Sequence, residues 1–188
     1  LGFSQEDPRG KYVKVMISEI DRISRLLNNF LSLPKEWRRQ HQVLSVRDLI
    51  LDVLGIFKFR FLTSKVTCQV DILENDPLEI MGDRDSLIQV LTNLLQNSLE
   101  VTGEDKNIYV KAHRQNGDVV LEVADEGDGV DETILDKLFT PFFTTKGQGT
   151  GLGLYVTKQI VETHGGSIYV ESKPGQGTAF YVKIPSLQ

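Results

Sequence analysis

Apolar side chains recur every three or four positions along residues 11–33. This spacing places them on one face of a helix, as in a coiled coil or a helix bundle. A helix with so wide an apolar face needs a partner, which is either the rest of the chain or another helix. Pro34 ends the pattern, because proline disfavours helix in the residue before it. The apolar seam consists of Val13, Met16, Ile20, Ile23, Leu27 and Phe30.

Three segments follow from this break. We predict a helical segment over residues 1–34, a polar linker over 35–42 and a folded domain over 43–188. The first residue is Leu1 rather than Met, which suggests a piece of a longer protein.

Helical and alternating patterns follow one another beyond residue 43. We predict helices over 46–62, 84–101, 131–138 and 151–164. We predict strands over 66–72, 78–81, 107–114, 118–125, 167–172 and 178–184. Asn116 and Gly117 are typical of a tight hairpin turn. Three main helices over a mixed sheet of about five strands make an α/β two-layer sandwich.

Composition narrows the class of protein. The 188 residues are 40% hydrophobic and 25% charged, which favours a soluble globular chain. The net charge of −5 argues against a nucleic-acid partner, since such binding needs clustered cations. No run of eighteen apolar residues predicts a membrane span. The single cysteine, Cys68, cannot form an internal disulfide, and we expect an inert thiol on the apolar face of its strand.

Asp125 is the first candidate for chemistry. It continues the apolar face of the strand predicted over 118–125, so its carboxylate should be buried and in need of donors. One donor is the amine of an adenine base; the alternative is a backbone amide of the next turn, which would make Asp125 a cap. Gly127 and Gly129 favour the base, because glycine lets another group approach the backbone closely.

Asn93 and Asn97 form a second candidate site. They lie four residues apart and share one face of the helix predicted over 84–101. Amide oxygens bind Mg²⁺ when phosphates supply most of the other ligands. The alternative is a pair of buried amides that are satisfied within the protein.

A glycine-rich loop precedes the helix predicted over 151–164. Backbone N–H groups at a helix start bind phosphates, and alternating glycines are typical of a mobile flap. The spacing fits neither the dinucleotide fingerprint nor the Walker A loop. Lys146 either adds a positive charge for a phosphate or remains a solvated lysine. The glycines are Gly147, Gly149, Gly151 and Gly153.

In this order the motifs resemble those of the sensor histidine kinases, within the larger ATPase family that also includes gyrase B, Hsp90 and MutL. The resemblance covers about residues 43–185 and implies a Bergerat-type ATP-binding fold, preceded by a dimerization helix over 11–33. Asn93 with Asn97 resembles the N box. The other matches are the first glycine box (125–129), the F box (139–146), the second glycine box (150–154) and the third (175–178).

The resemblance implies ATP and Mg²⁺ as ligands. Asn97 would bind Mg²⁺, and Asp125 would bond the adenine amine with Thr178 nearby. Gly127 and Gly129 would shape the adenine pocket. The remaining ATP-binding residues that it implies are Asn93, Glu100, Thr145, Lys146, Gly147, Gln148, Gly149, Thr150, Gly151, Leu152 and Gly153.

One position separates the subfamilies, and a second departs from the pattern of many histidine kinases. The ATP hydrolases of the family carry Glu four residues before the Mg²⁺-binding Asn, as a base that activates water; Asn93 stands there, as in the kinases. An acceptor imidazole can itself be the nucleophile. Glu100 departs from the Lys or Arg of many histidine kinases, so one phosphate contact does not carry over.

The phosphoacceptor of such kinases is a His followed by Glu, on the first helix of the dimerization hairpin. His41, His113 and His164 do not match, so we expect no catalytic residue in this fragment. The sequence thus predicts the cytoplasmic catalytic domain of an ATP-dependent protein-histidine kinase. It would transfer the γ-phosphoryl group of ATP to a histidine on an absent helix, for relay to a receiver-domain Asp of a response regulator.

The expected partners also include a second copy of the chain, through the N-terminal helix. One alternative is a nucleotide-gated interaction module that binds ATP without phosphotransfer. A Ser/Thr kinase of the anti-sigma type is less favoured, because such kinases resemble the Glu-containing N box.

Overall fold

The structure is a computed structural model that describes residues 13, 41–72, 78–146 and 149–187. The predicted N-terminal helix lies outside the described residues except for Val13, which is helical. The division of the chain at residues 34 and 42 therefore stays a prediction.

The described elements form two layers. Five strands make a mixed sheet in the order β2-β4-β5-β7-β6, in which β2 is parallel to β4 and the other neighbouring pairs are antiparallel. Strands β1 and β3 pair separately. The helices are α1 (Val46–Ser64), α2 (Arg84–Val101), α3 (Glu132–Leu135) and α4 (Gly153–Thr163). The strands are β1 (Gln42–Ser45), β2 (Thr67–Ile72), β3 (Glu79–Gly82), β4 (Asn107–Gln115), β5 (Asp118–Asp125), β6 (Ser167–Ser172) and β7 (Thr178–Pro185).

The predicted α/β sandwich with three main helices, α1, α2 and α4, is confirmed. One strand was not predicted, and one predicted helix is shorter in the structure. The strand predicted over 78–81 exists as β3, but its partner is β1, which we did not predict because a four-residue strand running straight into a helix gives no periodic signal. The helix predicted over 131–138 is only one turn long and passes into turns after Leu135.

Side-chain caps explain where two of the main helices begin. The Ser45 hydroxyl accepts a hydrogen bond from Asp48 N at 3.2 Å at the start of α1. The Asp83 carboxylate accepts one from Ser86 N at 2.8 Å at the start of α2. Such bonds satisfy amides that have no partner inside the helix. By contrast, Leu152, the residue before α4, provides no side-chain cap.

The core lies between the helices and one face of the sheet. Its most buried members come from all these elements and include Ile50, Leu94, Ile108, Val123 and Ile160, each at most 1% exposed. The alternation predicted for β5 is present, because Val119, Leu121 and Val123 are buried on the helix side.

Cys68 is half-buried on the edge strand β2, where burial raises the pKa of its thiol to about 11. The thiolate is therefore scarce at neutral pH, as expected of an inert cysteine. Within the described part of the chain, no helix is both long and apolar enough to cross a membrane.

His164 joins the end of α4 to the start of α2. Its Nδ1 lies 2.7 Å from the carbonyl oxygen of Ile160, and its Nε2 accepts a hydrogen bond from Asp83 N at 3.0 Å. These contacts require the neutral ring with its proton on Nδ1. The ring is 8% exposed, and burial lowers its pKa below the ordinary histidine value. His164 is thus a structural residue.

We expect His164 to make the fold sensitive to acid. The unfolded chain takes up this proton near pH 6.5, whereas native His164 does so only at lower pH. The unfolded state therefore binds more protons in that interval, and the free energy of unfolding should fall as the pH drops below 6.5.

Urea unfolding at pH 7.5 and pH 5.5 measures this effect. The His164→Gln variant should be less stable at pH 7.5, by about 1–3 kcal/mol, because buried donors and acceptors lose their partner. It should also lose part of the pH dependence. His113→Gln, at an exposed position of β4, is the control and should match the wild type. An unchanged pH slope in the His164 variant would contradict this role.

Candidate functional site

An open cavity of about 560 Å³ lies between α2, the end of β5, the start of α4 and the loop before α4. Most of the predicted site residues line it. They are Asn93, Asn97, Glu100, Asp125, Thr145, Lys146, Gly149, Thr150, Gly151, Gly153 and Thr178. Gly127, Gly129 and Leu152 are not in its lining, and Gly147 with Gln148 lies outside the described residues.

The cavity also has an apolar wall that sequence reasoning missed. It is built by Val101, Val130, Leu138, Phe143, Leu154 and Phe180, and the polar lining further includes Gln96 and Thr144. These apolar residues come from different elements and look like ordinary core positions in the sequence. The one signal was the F box itself, which contains Phe143 and Thr144.

Asp125 is the buried charge of the cavity, with 5% of its surface exposed. Its Oδ1 accepts hydrogen bonds from Gly127 N at 2.9 Å and Thr178 N at 3.3 Å. Burial raises the pKa of the carboxyl, although both hydrogen bonds act against that rise. Asp125 therefore caps the turn that follows it and still lines the cavity, so the two interpretations of the sequence are compatible.

Ser98, on α2, adds an unsatisfied group beside this carboxylate. Its Oγ is wholly buried and makes no hydrogen bond of good geometry within the described residues. It nevertheless lies close enough to Asp125 to lower the pKa of that carboxyl. A buried hydroxyl of this kind needs a partner, and the carboxylate of Asp125 is the neighbouring acceptor.

Two glycine turns pack backbone against backbone behind Asp125. Gly175 N donates to Asp128 O at 2.7 Å, and a Cβ on Gly129 would lie 2.0 Å from Lys173 O. A Cβ on Gly177 would lie 1.8 Å from Asp125 O. These glycines therefore shape the site indirectly, by allowing the two turns to touch.

Asn93 ties α2 to α4. Its Nδ2 donates to Gly153 O at 3.1 Å and to Thr157 Oγ1 at 3.2 Å. Because Gly153 O can only accept, the amide nitrogen of Asn93 must face α4. Asn97 lies one turn further along α2, and its side chain lines the cavity. No cluster of three or more His, Cys, Asp or Glu residues that could hold a metal occurs in the described ranges.

A backbone hydrogen bond joins the two ends of the loop before α4. Phe142 N donates to Gly151 O at 2.9 Å, and both residues have a left-handed backbone, with φ of 66°. A Cβ on Gly151 would lie 2.4 Å from the backbone carbon of Phe142, so glycine is required there. Phe142 itself is 66% exposed.

An ion pair crosses the cavity from this loop to α2. Lys146 Nζ lies 2.6 Å from Glu100 Oε2, and Glu100 also accepts a hydrogen bond from Gln96. Burial raises the pKa of Glu100, but the hydrogen bonds from Lys146 and Gln96 outweigh it and leave the pKa below its ordinary value. Gln96 in turn accepts from Arg60 on α1.

Glu126 anchors the turn that follows Asp125 to strand β4. Its carboxylate accepts from Asn107 N at 2.8 Å and from the Tyr109 hydroxyl at 2.7 Å. The Tyr109 hydrogen bond holds the pKa of Glu126 below its ordinary value. Lys106 Nζ also donates to Glu126 O at 2.8 Å. We did not single out Glu126 from the sequence, since nothing in the local pattern shows that β4 reaches it.

Comparison with known proteins identifies the family of this chain. The model of a family described as histidine kinase-, DNA gyrase B- and HSP90-like ATPase matches residues 82–188. Sporulation kinase E of Bacillus subtilis (strain 168) is 36% identical over 186 residues, which are 98% of this chain and 25% of that kinase. Sensor histidine kinase ZraS of Escherichia coli (strain K12) is 37% identical over 188 residues, which cover 97% of this chain and 40% of that protein. The chain thus spans between a quarter and two fifths of the length of these curated relatives.

Solved structures show the same architecture. The nucleotide-free catalytic domain of histidine kinase ThkA is 34% identical and superposes with a TM-score of 0.71, over 78% of this chain and 95% of that chain. Histidine kinase ThkA in complex with response regulator protein TrrA gives 27% identity and a TM-score of 0.78, over 98% of this chain and 53% of that chain.

Because Gly177 lies so close to Asp125, we expect Gly177→Ala to lower the free energy of unfolding strongly. Gly175 and Gly177 both have positive φ, of 76° and 82°, so alanine strains either position. At Gly175 nothing lies within 4 Å of a new Cβ, whereas at Gly177 it would overlap Asp125 O. Gly177→Ala should therefore lower the free energy of unfolding by about 2 kcal/mol more than Gly175→Ala. Equal losses in urea unfolding would show that the turns do not need their close contact.

Proposed function

The chain belongs to the family of histidine kinase-, DNA gyrase B- and HSP90-like ATPases, and from this premise we propose that it is the ATP-binding catalytic domain of a two-component sensor histidine kinase. One observation carries the proposal. Three separate segments bring Asp125, Asn97 and Lys146 to one cavity with an apolar wall, as a nucleotide requires.

The base would bind at the Asp125 end of the cavity. A buried carboxylate that is fixed by Gly127 N and Thr178 N is a rigid acceptor for an adenine amine. The buried hydroxyl of Ser98 lies beside the same carboxylate and lowers its pKa, so it helps to keep Asp125 ionised as an acceptor. The apolar wall would cover the faces of the ring.

The phosphates would bind between α2 and the start of α4. The first amides of α4 have no capping side chain, so they remain donors for an anion. Asn97 offers an amide oxygen to Mg²⁺, and the described residues add no carboxylate cluster, so phosphates and water would complete the coordination. A bound Mg²⁺ would neutralise charge on the phosphates.

The reaction would be transfer rather than hydrolysis. Asn93 is an amide whose nitrogen is engaged by α4, and an amide cannot take a proton from water. A histidine of the absent helix would attack the γ-phosphorus with its imidazole nitrogen. The bond from that phosphorus to the β–γ bridging oxygen would break, and ADP would leave. An aspartate of a response regulator would then accept the phosphoryl group.

The proposal includes two protein partners, a response regulator and a second copy of the kinase. Similarity to a histidine kinase solved with a response regulator supports a receiver domain as the partner. The apolar seam of residues 11–33 supports a homodimer through that segment in the intact kinase. ATP and the regulator would both be met in the cytoplasm.

We expect the chain to phosphorylate a histidine only when the missing helix is supplied. A dimerization hairpin with its acceptor His should gain acid-labile label from γ-labelled ATP and this chain. The chain alone should bind ATP·Mg²⁺ without labelling, since His164 is buried and neither His41 nor His113 lies in the cavity. A hairpin whose acceptor His is replaced by Gln is the control. Binding without transfer to the intact hairpin would favour the nucleotide-gated interaction module instead.

Asp125→Asn tests the adenine end of the site. Hydrogen bonds to a charged acceptor contribute about 1.5–3 kcal/mol, so affinity for an ATP analogue should fall about ten- to a hundredfold. Calorimetric titration measures the change. Asp118→Asn, at the other end of β5 and outside the cavity, is the matched control and should bind as the wild type does. Equal affinity of the Asp125 variant would show that this carboxylate only caps its turn.

A further inference from the structure

The charges around the cavity are unfavourable for a polyphosphate. Among the described residues of its lining, Lys146 is the one cation, while Glu100 and Asp125 are both carboxylates. Asp125 is needed at the other end of the site, and its carboxyl already feels the charge of Lys146. A ligand with several negative charges would therefore be attracted by Lys146 and repelled by Glu100.

Lys146 is engaged by Glu100. Its Nζ lies 2.6 Å from Glu100 Oε2, and the two side chains are 34% and 41% exposed. An ion pair with that exposure is weak, because solvent screens it and two long side chains lose freedom. A phosphate group carries more charge than one carboxylate and can displace Glu100 from Lys146.

Glu100 has a second hydrogen-bond partner, Gln96, which remains when Lys146 moves to a ligand. Gln96 donates to Glu100 and accepts from Arg60, so a relay connects Glu100 to a cation of α1. The charge of Arg60 also favours the ionised form of Glu100. The carboxylate can thus stay charged on α2 while the lysine turns to a ligand.

From these contacts we infer that Glu100 and Lys146 form an exchangeable ion pair that sets the phosphate specificity of the site. Glu100 is the positioning residue, which holds Lys146 across the cavity, and the terminal phosphates of a nucleoside di- or triphosphate take its place. A nucleoside monophosphate lacks these terminal phosphates and leaves the ion pair in place. The inference rests on the proposed function, since it assumes a nucleotide in this cavity.

Binding of two probes to the 188-residue chain tests the exchange. The probes are a non-hydrolysable ATP analogue with Mg²⁺ and AMP, each titrated by calorimetry. Glu100→Gln should tighten binding of the analogue about three- to fivefold, because the lysine no longer has to leave a carboxylate. Lys146→Met should weaken it about tenfold. Affinity for AMP should change less than about twofold in both variants.

A second surface ion pair supplies the matched control. Lys65 Nζ lies 2.7 Å from Glu104 Oε2, at an exposed position outside the cavity. Glu104→Gln and Lys65→Met change the net charge of the chain by the same amounts and should leave both affinities unchanged. Circular dichroism would verify that all four variants are folded.

The outcomes separate the inference from the function. A wild type that binds neither probe overturns the proposed function, and the inference with it. A wild type that binds both probes, with unchanged or weaker binding of the analogue to Glu100→Gln, overturns the exchange alone. Equal effects on AMP and the analogue also overturn it, because the pair would then act on the fold rather than on the phosphates.

Discussion

The register between β5 and β7 determines where this protein can hold a ligand. Asp125, the last residue of β5, pairs with Thr178, the first residue of β7, and Thr178 N donates to the carboxylate. The turn before β7 can approach Asp125 this closely only because Gly177 has no side chain, which would overlap Asp125 O. A charge that would otherwise destabilise the core is thus fixed at the rim of the sheet, where the cavity begins. A substitution at Gly177 would therefore displace Asp125, although Gly177 itself does not line the cavity.

Helix α2 supplies the polar side chains that line the cavity beside Asp125. One of its faces belongs to the core through Leu91, Leu94 and Leu95, and the opposite edge places Asn97 and Glu100 along the cavity. The helix is held at its start by Asp83 and His164. Since the same rigid element supplies core and site, the spacing between the polar groups follows from helical geometry alone.

Sequence reasoning reached the elements with long periodic patterns. Helices α2 and α4, the hairpin at Asn116 and the buried end of β5 were all predictable, because burial leaves a repeat in the sequence. Contacts between distant segments left no such repeat. The pairing of β1 with β3, the ion pair of Lys146 with Glu100 and the bonds of Glu126 to β4 depend on how elements meet in space. Most polar residues of the cavity were therefore predictable, whereas its apolar wall and the partners of the polar residues were not.

The state of Cys68 makes the protein convenient for spectroscopy. It is the single cysteine of the chain, and its half-buried thiol has a pKa of about 11. Thiol-reactive dyes attack the thiolate, so at neutral pH they would label this position slowly. A cysteine placed at Phe142, which is 66% exposed beside the glycine-rich loop, would therefore carry a fluorophore with little background. Loop motions become observable by fluorescence without first removing a native residue.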